Sequence, residues 1–195
     1  MSGPSPSRRQ LHFLAISGSL RAVSSTTTLL RAAARLAPDG VAITLYPSVG
    51  ALPHFNPDLD GEGAEPPPSV ADFRGQLRAA DAVLICSPEY IHGVPGSLKN
   101  ALDWVAGTGE FVAKPVALIN ASATSFHAQA ALIETLTTLM AEVTATRVPL
   151  WSNKVELAAV LADPATSAAL RAVIESLITA ASDRSSTGSA EGADQ

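Results

Sequence analysis

Short apolar runs alternate with longer segments of helical period along most of the chain, and this alternation constrains the fold more than any other feature. Strands buried on both faces read as short continuous apolar runs, and parallel strands need a crossover, usually a helix, between them. The pattern predicts strands at Leu11–Ser17, Val41–Tyr46, Ala82–Cys86, Pro115–Asn120 and Val143–Val148, and helices at Ser25–Leu36, Val70–Ala80, Leu98–Val105, Ala128–Met140 and Thr166–Ala180.

Strands that alternate with helices in this way indicate an α/β doubly wound parallel sheet with helices on both faces. The compact size favours the flavodoxin-like strand order 2-1-3-4-5. We expect one domain at 10–181, because 1–9 and 182–195 are rich in Ser, Gly, Pro and charge and read as disordered tails. The Pro-rich stretch 47–68 is predicted to be an irregular loop.

Two short motifs predict helix starts. Ser69, with Asp72 three residues later, resembles a capping box that would open the second helix. Asp163 followed by Pro164 predicts the entry to the last helix, because Pro is favoured in the first helical position.

Charge and composition favour a small-molecule partner. The net charge is −5 with 16% charged residues and no basic block, which argues against nucleic acid and anionic membranes. Cys86 is the single cysteine, and the four histidines lack metal-ligand spacing, so neither a disulfide nor a metal site is expected. The apolar run after Arg8 and Arg9 is shorter than a signal-peptide core, and no run approaches the roughly 20 residues that span a membrane. These features predict a cytoplasmic protein.

The turn after the first strand, SGSLRAVSSTTT at 17–28, places one Gly, one Arg and many hydroxyls before a helix. In open α/β sheets, ligands bind where the strand order reverses, so this turn borders the expected site. A helix N-terminus with hydroxyls and a guanidinium suits a phosphate, although the hydroxyls of 24–28 could also serve only as caps. Gly18 stands alone and no Lys follows, which excludes a dinucleotide fingerprint and a P-loop. A single phosphate is the remaining interpretation.

The turn after the third strand, SPEYIHGVPG at 87–96, lies beside the first one in this topology. Its prolines restrict the backbone, and its glycines permit close approach to a flat ligand. Tyr90 suits packing against a planar ring, or equally against the sheet. His92 could act as a proton donor or orient a nicotinamide, or it could be a surface or subunit contact. Ser87 lacks the G-x-S-x-G elbow of a hydrolase.

The motifs GSLRAVSST at 18–26 and SPEYIHGVPGSLKNALDW at 87–104 together resemble the NADPH-dependent FMN reductase family, which includes quinone, azo and chromate reductases. The likeness extends through LPHFNPDL at 52–59 and KPVALINAS at 114–122. It implies that the first loop holds the FMN phosphate, that the third borders the isoalloxazine ring and that Ser122 contributes from the loop after strand four. The implied cofactor-binding residues are Ser19, Leu20, Arg21, Ser24, Ser25, Thr26, Pro88, Glu89, Tyr90, Ile91, His92, Gly93 and Ser122.

The chain departs from the family pattern at three places. Thr26 and Ile91 each replace a usual Asn, and the 121–127 loop lacks the Gly-rich turn of many members. In the helix that follows the third loop, Lys99 and Asp103 should form an i, i+4 pair, and Trp104 should pack rather than stack on flavin.

The resemblance implies an FMN-dependent NAD(P)H oxidoreductase. Hydride would pass from NADPH or NADH through flavin N5 to a quinone-like or other small acceptor in a ping-pong cycle, with no catalytic side chain required and His92 the one candidate. A homodimer or homotetramer is implied as well. Two alternatives stay open: a non-enzymatic flavin-binding electron carrier or redox sensor, and a flavin-free binding module.

Overall fold

The computed structural model describes residues 9–61, 63–150 and 156–191, with side chains described as far as Arg184. The strands and helices alternate along the chain, with two short 3₁₀ turns at Val49–Ala51 and Pro57–Leu59. In chain order the elements are β1 (Leu11–Ser17), α1 (Ser25–Leu36), β2 (Val41–Leu45), α2 (Pro68–Ala79), β3 (Ala82–Cys86), α3 (Gly96–Asp103), β4 (Pro115–Asn120), α4 (His127–Thr138), β5 (Glu142–Arg147), α5 (Leu157–Ala162) and α6 (Pro164–Glu191).

The five strands form one parallel sheet in the order β2-β1-β3-β4-β5, which confirms the predicted flavodoxin-like topology. β1 pairs with β2 on one side and with β3 on the other. The chain therefore winds outward in both directions from β1 and β3. Their carboxyl ends mark the reversal point, where ligands bind in sheets of this kind.

Alternate residues of each strand face two separate apolar cores, as expected for a sheet covered on both faces. Leu14 and Ile16 of β1 pack in the core covered by α2, α3 and α4. Phe13 and Ala15 pack in the core covered by α1, α5 and α6. β3 is buried along its whole length, so its end is a fixed reference for the loop that follows.

The start of α2 differs from the sequence prediction. The capping-box prediction at Ser69 and Asp72 was wrong, because α2 begins at Pro68 and Ser69 lies inside the helix. Pro is tolerated there because its missing N–H would have no intrahelical partner. The Asp72 carboxylate instead accepts a 2.8 Å hydrogen bond from Gln76 Nε2.

The last helix begins at Pro164, and the Asp163 carboxylate accepts a 2.8 Å hydrogen bond from the Thr166 amide, so the predicted helix entry is confirmed. α6 is longer than predicted and continues to Glu191, and α5 was not predicted. The predicted domain bounds stay a prediction, and 1–8 and 192–195 lie outside the described residues. No helix in the described part of the chain is long and apolar enough to cross a bilayer.

The loop between β2 and α2 is fastened to α3 and its surroundings by buried polar groups. The Arg74 guanidinium donates to the Trp104 carbonyl and forms a 2.6 Å ion pair with Asp60. Trp104 is fully buried, and its indole N–H donates to the Pro53 carbonyl at 2.7 Å. The expected packing role of Trp104 and the Lys99–Asp103 pair are both confirmed.

Candidate functional site

The β1–α1 and β3–α3 loops meet directly at the reversal point of the sheet. The Gly18 amide donates a 2.9 Å hydrogen bond to the Cys86 carbonyl at the end of β3. A Cβ atom at Gly18 would lie 2.5 Å from Ser87 Oγ and 3.1 Å from a methyl carbon of Leu98. Any side chain at position 18 would force Ser87 or Leu98 to move, so the glycine allows this close approach of the two loops.

The N-terminus of α1 opens toward this junction without a side-chain cap. Ser24 is the N-cap residue, with the extended backbone usual at that position (φ −138°). Among the described residues, however, its side chain accepts no hydrogen bond from the first-turn amides. Its hydroxyl is instead 2.7 Å from Thr26 Oγ1. The first turn thus keeps its amide donors and its positive dipole end for an anion.

Hydroxyl groups in the β1–α1 loop hold one another in place. Ser17 Oγ lies 2.9 Å from Thr27 Oγ1 and 3.2 Å from Thr26 Oγ1, and it accepts a hydrogen bond from the Ser19 amide. This network fixes the loop before any ligand arrives. The alternative in which these hydroxyls only cap the helix is disfavoured, because the N-cap side chain itself does not cap.

The β3–α3 loop is shaped by a tight backbone turn at 90–93. The amides of Tyr90 and Gly93 donate to each other's carbonyls at 3.1 and 2.9 Å. Ile91 (φ 49°) and His92 (φ 55°) between them both adopt the left-handed conformation. Two residues with positive φ are what a type I′ turn requires, but a β-branched residue is rare there. The Ile91 side chain is fully exposed at the tip of the turn.

The β3–α3 loop is also tied to the start of α4. Glu89 Oε2 accepts a 2.8 Å hydrogen bond from the Ala128 amide, which places a carboxylate at the N-terminus of α4. The His92 ring stacks on the His127 ring with centroids 4.4 Å apart. Spacing along the chain does not predict this histidine pair. Both contacts fix the loop against the third segment that borders the site.

That third segment, the β4–α4 loop, is organised by Asn120. This residue is nearly fully buried, and its amide group donates to the Ser125 carbonyl and to Gln129 Oε1. Its carbonyl oxygen accepts a 2.9 Å hydrogen bond from the Ser122 amide. The sequence analysis did not include Asn120 in the site. In the sequence, Asn120 stands out as an amide side chain at the end of an otherwise apolar strand.

The three loops border an open cleft of about 480 Å³. Nine of the residues expected to bind the cofactor line it: Ser19, Arg21, Ser24, Ser25, Thr26, Pro88, Glu89, Tyr90 and Ser122. The cleft is also lined by six residues that were not predicted from the sequence: Ser87, Ala121, Ala123, Thr124, Ser125 and Leu150.

Four residues of the expected set lie outside the lining of this cleft. Leu20 is exposed and contacts Gly50 across the loop, where an added Cβ would lie 2.8 Å from Leu20. Ile91, His92 and Gly93 belong to the turn, which carries Ile91 outward and His92 onto His127. At the base of the site, burial raises the pKa of the Cys86 thiol, so this group stays protonated.

The strand order and the cleft at its reversal point define a flavodoxin-like α/β protein. A family model described as NADPH-dependent FMN reductase matches residues 11–156. The chain therefore belongs to the NADPH-dependent FMN reductase family.

Individual relatives agree with this assignment. The chain is 44% identical over 115 residues to an NAD(P)H-dependent FMN reductase of Pseudomonas aeruginosa, a match that covers 58% of this chain and 60% of that protein. It is 44% identical over 110 residues to an NADPH:quinone oxidoreductase of Arabidopsis thaliana, covering 54% of this chain and 55% of the relative. The chain thus spans somewhat more than half the length of these curated relatives.

Among solved structures, the flavoenzyme FerB of Paracoccus denitrificans, an NAD(P)H:(acceptor) oxidoreductase, superposes with a TM-score of 0.76 at 27% identity. The match covers 89% of this chain and 98% of FerB. An FMN-dependent NADH-azoreductase of Bacillus anthracis, solved in complex with FMN, shares only the fold, with a TM-score of 0.52 at 15% identity.

Proposed function

We propose that this protein is an FMN-dependent oxidoreductase that uses NADPH or NADH to reduce a quinone-like or other small acceptor. The observation that carries this proposal is the uncapped, hydroxyl-lined N-terminus of α1, placed at the reversal point of a sheet that belongs to an FMN reductase family. The names of the relatives support the same activity.

The residues of the cleft fit a flavin mononucleotide. Ser19, Ser24 and Thr26 would hold the phosphate together with the first-turn amides of α1, and Arg21 would neutralise its charge. The ring would lie against Pro88, Glu89 and Tyr90 from the β3–α3 loop, with Ser122 on the facing loop. The half-exposed Tyr90 side chain offers the broad surface that a planar ring needs.

Bound FMN would supply the redox chemistry that these side chains lack, namely transfer of a hydride from NAD(P)H through N5 and of two electrons to a second substrate. The protein would position the flavin and its substrates. The turn at 90–93 uses the amides of Tyr90 and Gly93 for its own hydrogen bonds, so these two amides are not available to the flavin ring. The open cleft would admit NAD(P)H and the acceptor in turn, which supports a ping-pong order.

His92 stays a candidate for proton transfer only. Its ring stacks on His127 instead of lining the cleft, so a role in catalysis would require the turn to move. A homodimer or homotetramer and a cytoplasmic location also stay predictions of the sequence and the family resemblance.

A spectroscopic and kinetic experiment tests the proposed function. We expect the purified protein to carry a visible oxidised-flavin spectrum, and the FMN-loaded protein to oxidise NADPH steadily when a soluble quinone is added. An electron carrier or sensor would be coloured but would not sustain turnover with a small quinone. A flavin-free binding module would stay colourless after incubation with FMN, and either result would refute the proposal.

A further inference from the structure

A second cleft, of about 630 Å³, lies on the other side of the β1–α1 loop. Its walls are this loop, the outer face of α1 and the segment that follows β2. Its polar lining is provided by Ser17, Ser19, Thr27, Ser48 and the guanidinium groups of Arg21 and Arg31. Among the described residues that line it, none is Asp or Glu. The function proposed above uses Ser19 and Arg21 of this lining and gives no role to Thr27, Arg31 and Ser48.

The two arginines of this second cleft lack the acidic partner that three other arginines of the described chain have. Arg9, Arg74 and Arg78 each form an ion pair with a carboxylate. Arg21 and Arg31 are exposed, and neither forms an ion pair within the described ranges. Two unpaired guanidiniums beside one concave surface produce a local positive potential in a protein whose net charge is −5. Such a surface attracts an anion.

The geometry of the cleft is fixed on both sides. Thr27 and Arg31 are four residues apart on α1 and share one helix face, and Thr27 Oγ1 is held 2.9 Å from Ser17 Oγ. Leu20 rests against Gly50 and joins the loop to the segment after β2. At the floor, burial and the nearby Asp72 raise the pKa of Tyr46, so its hydroxyl stays a donor.

We propose that this second cleft is a subsite for the 2′-phosphate of NADPH, and that Arg31 distinguishes NADPH from NADH. A phosphate monoester suits a donor set of one guanidinium and several hydroxyls. Ser19 and Arg21 line both clefts, so a substrate whose nicotinamide enters the first can extend its other end into the second. Arg21 is assigned to the flavin phosphate and is shared between the clefts, so Arg31 is the one guanidinium of this lining that is free to bind the second phosphate, together with the hydroxyls of Thr27 and Ser48. The inference rests on the proposed NAD(P)H-dependent function.

The test compares Arg31→Gln with Arg35→Gln, which removes the same charge one turn further along α1, outside the cleft lining. Calorimetry on the FMN-loaded proteins measures binding of 2′,5′-ADP, which carries the 2′-phosphate, and of 5′-AMP, which lacks it. We expect Arg31→Gln to weaken 2′,5′-ADP about tenfold and to leave 5′-AMP unchanged. Arg35→Gln should bind both as the original protein does, and Arg31→Lys should recover part of the loss.

Steady-state kinetics provide the second readout. In Arg31→Gln, kcat/KM for NADPH should fall about tenfold while the value for NADH stays constant. Equal losses in Arg31→Gln and Arg35→Gln would overturn the subsite, as would inorganic phosphate binding as tightly as 2′,5′-ADP. If the original protein oxidises neither nucleotide, the proposed function fails, and the calorimetry still decides whether the subsite exists.

Discussion

The two loops that meet at Gly18 are built by different means. In the β1–α1 loop, side-chain hydroxyls bond to one another and leave the N-terminus of α1 uncapped. In the β3–α3 loop, the backbone makes the shape, with two left-handed residues in a tight turn and Glu89 fastened to α4. The first loop presents hydrogen-bond donors, and the second presents a rigid backbone surface. We infer that the first determines cofactor affinity and the second determines access to the ring.

The largest expected effect comes from forcing the two loops apart. Gly18→Ala would place a Cβ 2.5 Å from Ser87 Oγ and 3.0 Å from Ser87 Cβ, so we expect a loss of about 1–3 kcal/mol in the free energy of unfolding. Chemical denaturation of the FMN-free protein measures it. Gly75→Ala is the control, because nothing lies within 4 Å of its new methyl group and the helix should gain about 1 kcal/mol. Similar effects of both substitutions would contradict the close contact.

The next prediction separates anion binding from helix capping. Ser24→Ala should weaken FMN binding by about 1 kcal/mol, roughly fivefold. The FMN-free protein should lose only the hydrogen bond between Ser24 and Thr26 and no capping energy, because the Ser24 side chain does not cap α1. Asp163→Ala should lower stability and leave FMN binding unchanged. Its carboxylate accepts the Thr166 amide, so its removal should cost about 1 kcal/mol of stability without affecting FMN. Loss of stability alone in Ser24→Ala would restore the capping interpretation.

The turn of the β3–α3 loop supplies a third prediction. Ile91→Asn should stabilise the protein by about 0.5–1 kcal/mol, because Asn tolerates the left-handed conformation better than a β-branched residue. Val23→Asn, at an exposed position of the β1–α1 loop, should change stability little. Thermal unfolding of both variants measures the difference. Destabilisation by Ile91→Asn would mean that the Ile91 side chain has a packing partner.

The smallest expected effect concerns the tie between Glu89 and α4. Glu89→Gln keeps an oxygen acceptor for the Ala128 amide but removes the negative charge at the helix N-terminus, so the loss should be about 0.5 kcal/mol and should shrink in high salt. Glu134→Gln, in the middle of α4, should have almost no effect. A salt-independent loss at Glu89 would exclude the charge–dipole explanation.

The same contrast explains how much could be predicted from the sequence. The bounds of β1, β3 and β4 agree with the predictions because buried strands carry a continuous apolar signal. The proposed phosphate side of the site rests on hydroxyls and a guanidinium, whose chemistry is visible in the residue types. The turn could not be predicted in this way, because its positive φ angles fall on Ile91 and His92 rather than on glycines. Their placement outside the cleft lining, and the stacking of His92 on His127, arise from backbone shape.

We propose that the β1–α1 loop holds the phosphate of a mononucleotide. Titrating the cofactor-free protein with FMN and with riboflavin, in the original chain and in Arg21→Ala, tests it directly. We expect FMN to bind at least about tenfold more tightly than riboflavin, and Arg21→Ala to reduce this ratio while leaving the riboflavin affinity unchanged. Equal affinities for FMN and riboflavin in the original protein would show that this loop does not bind the phosphate.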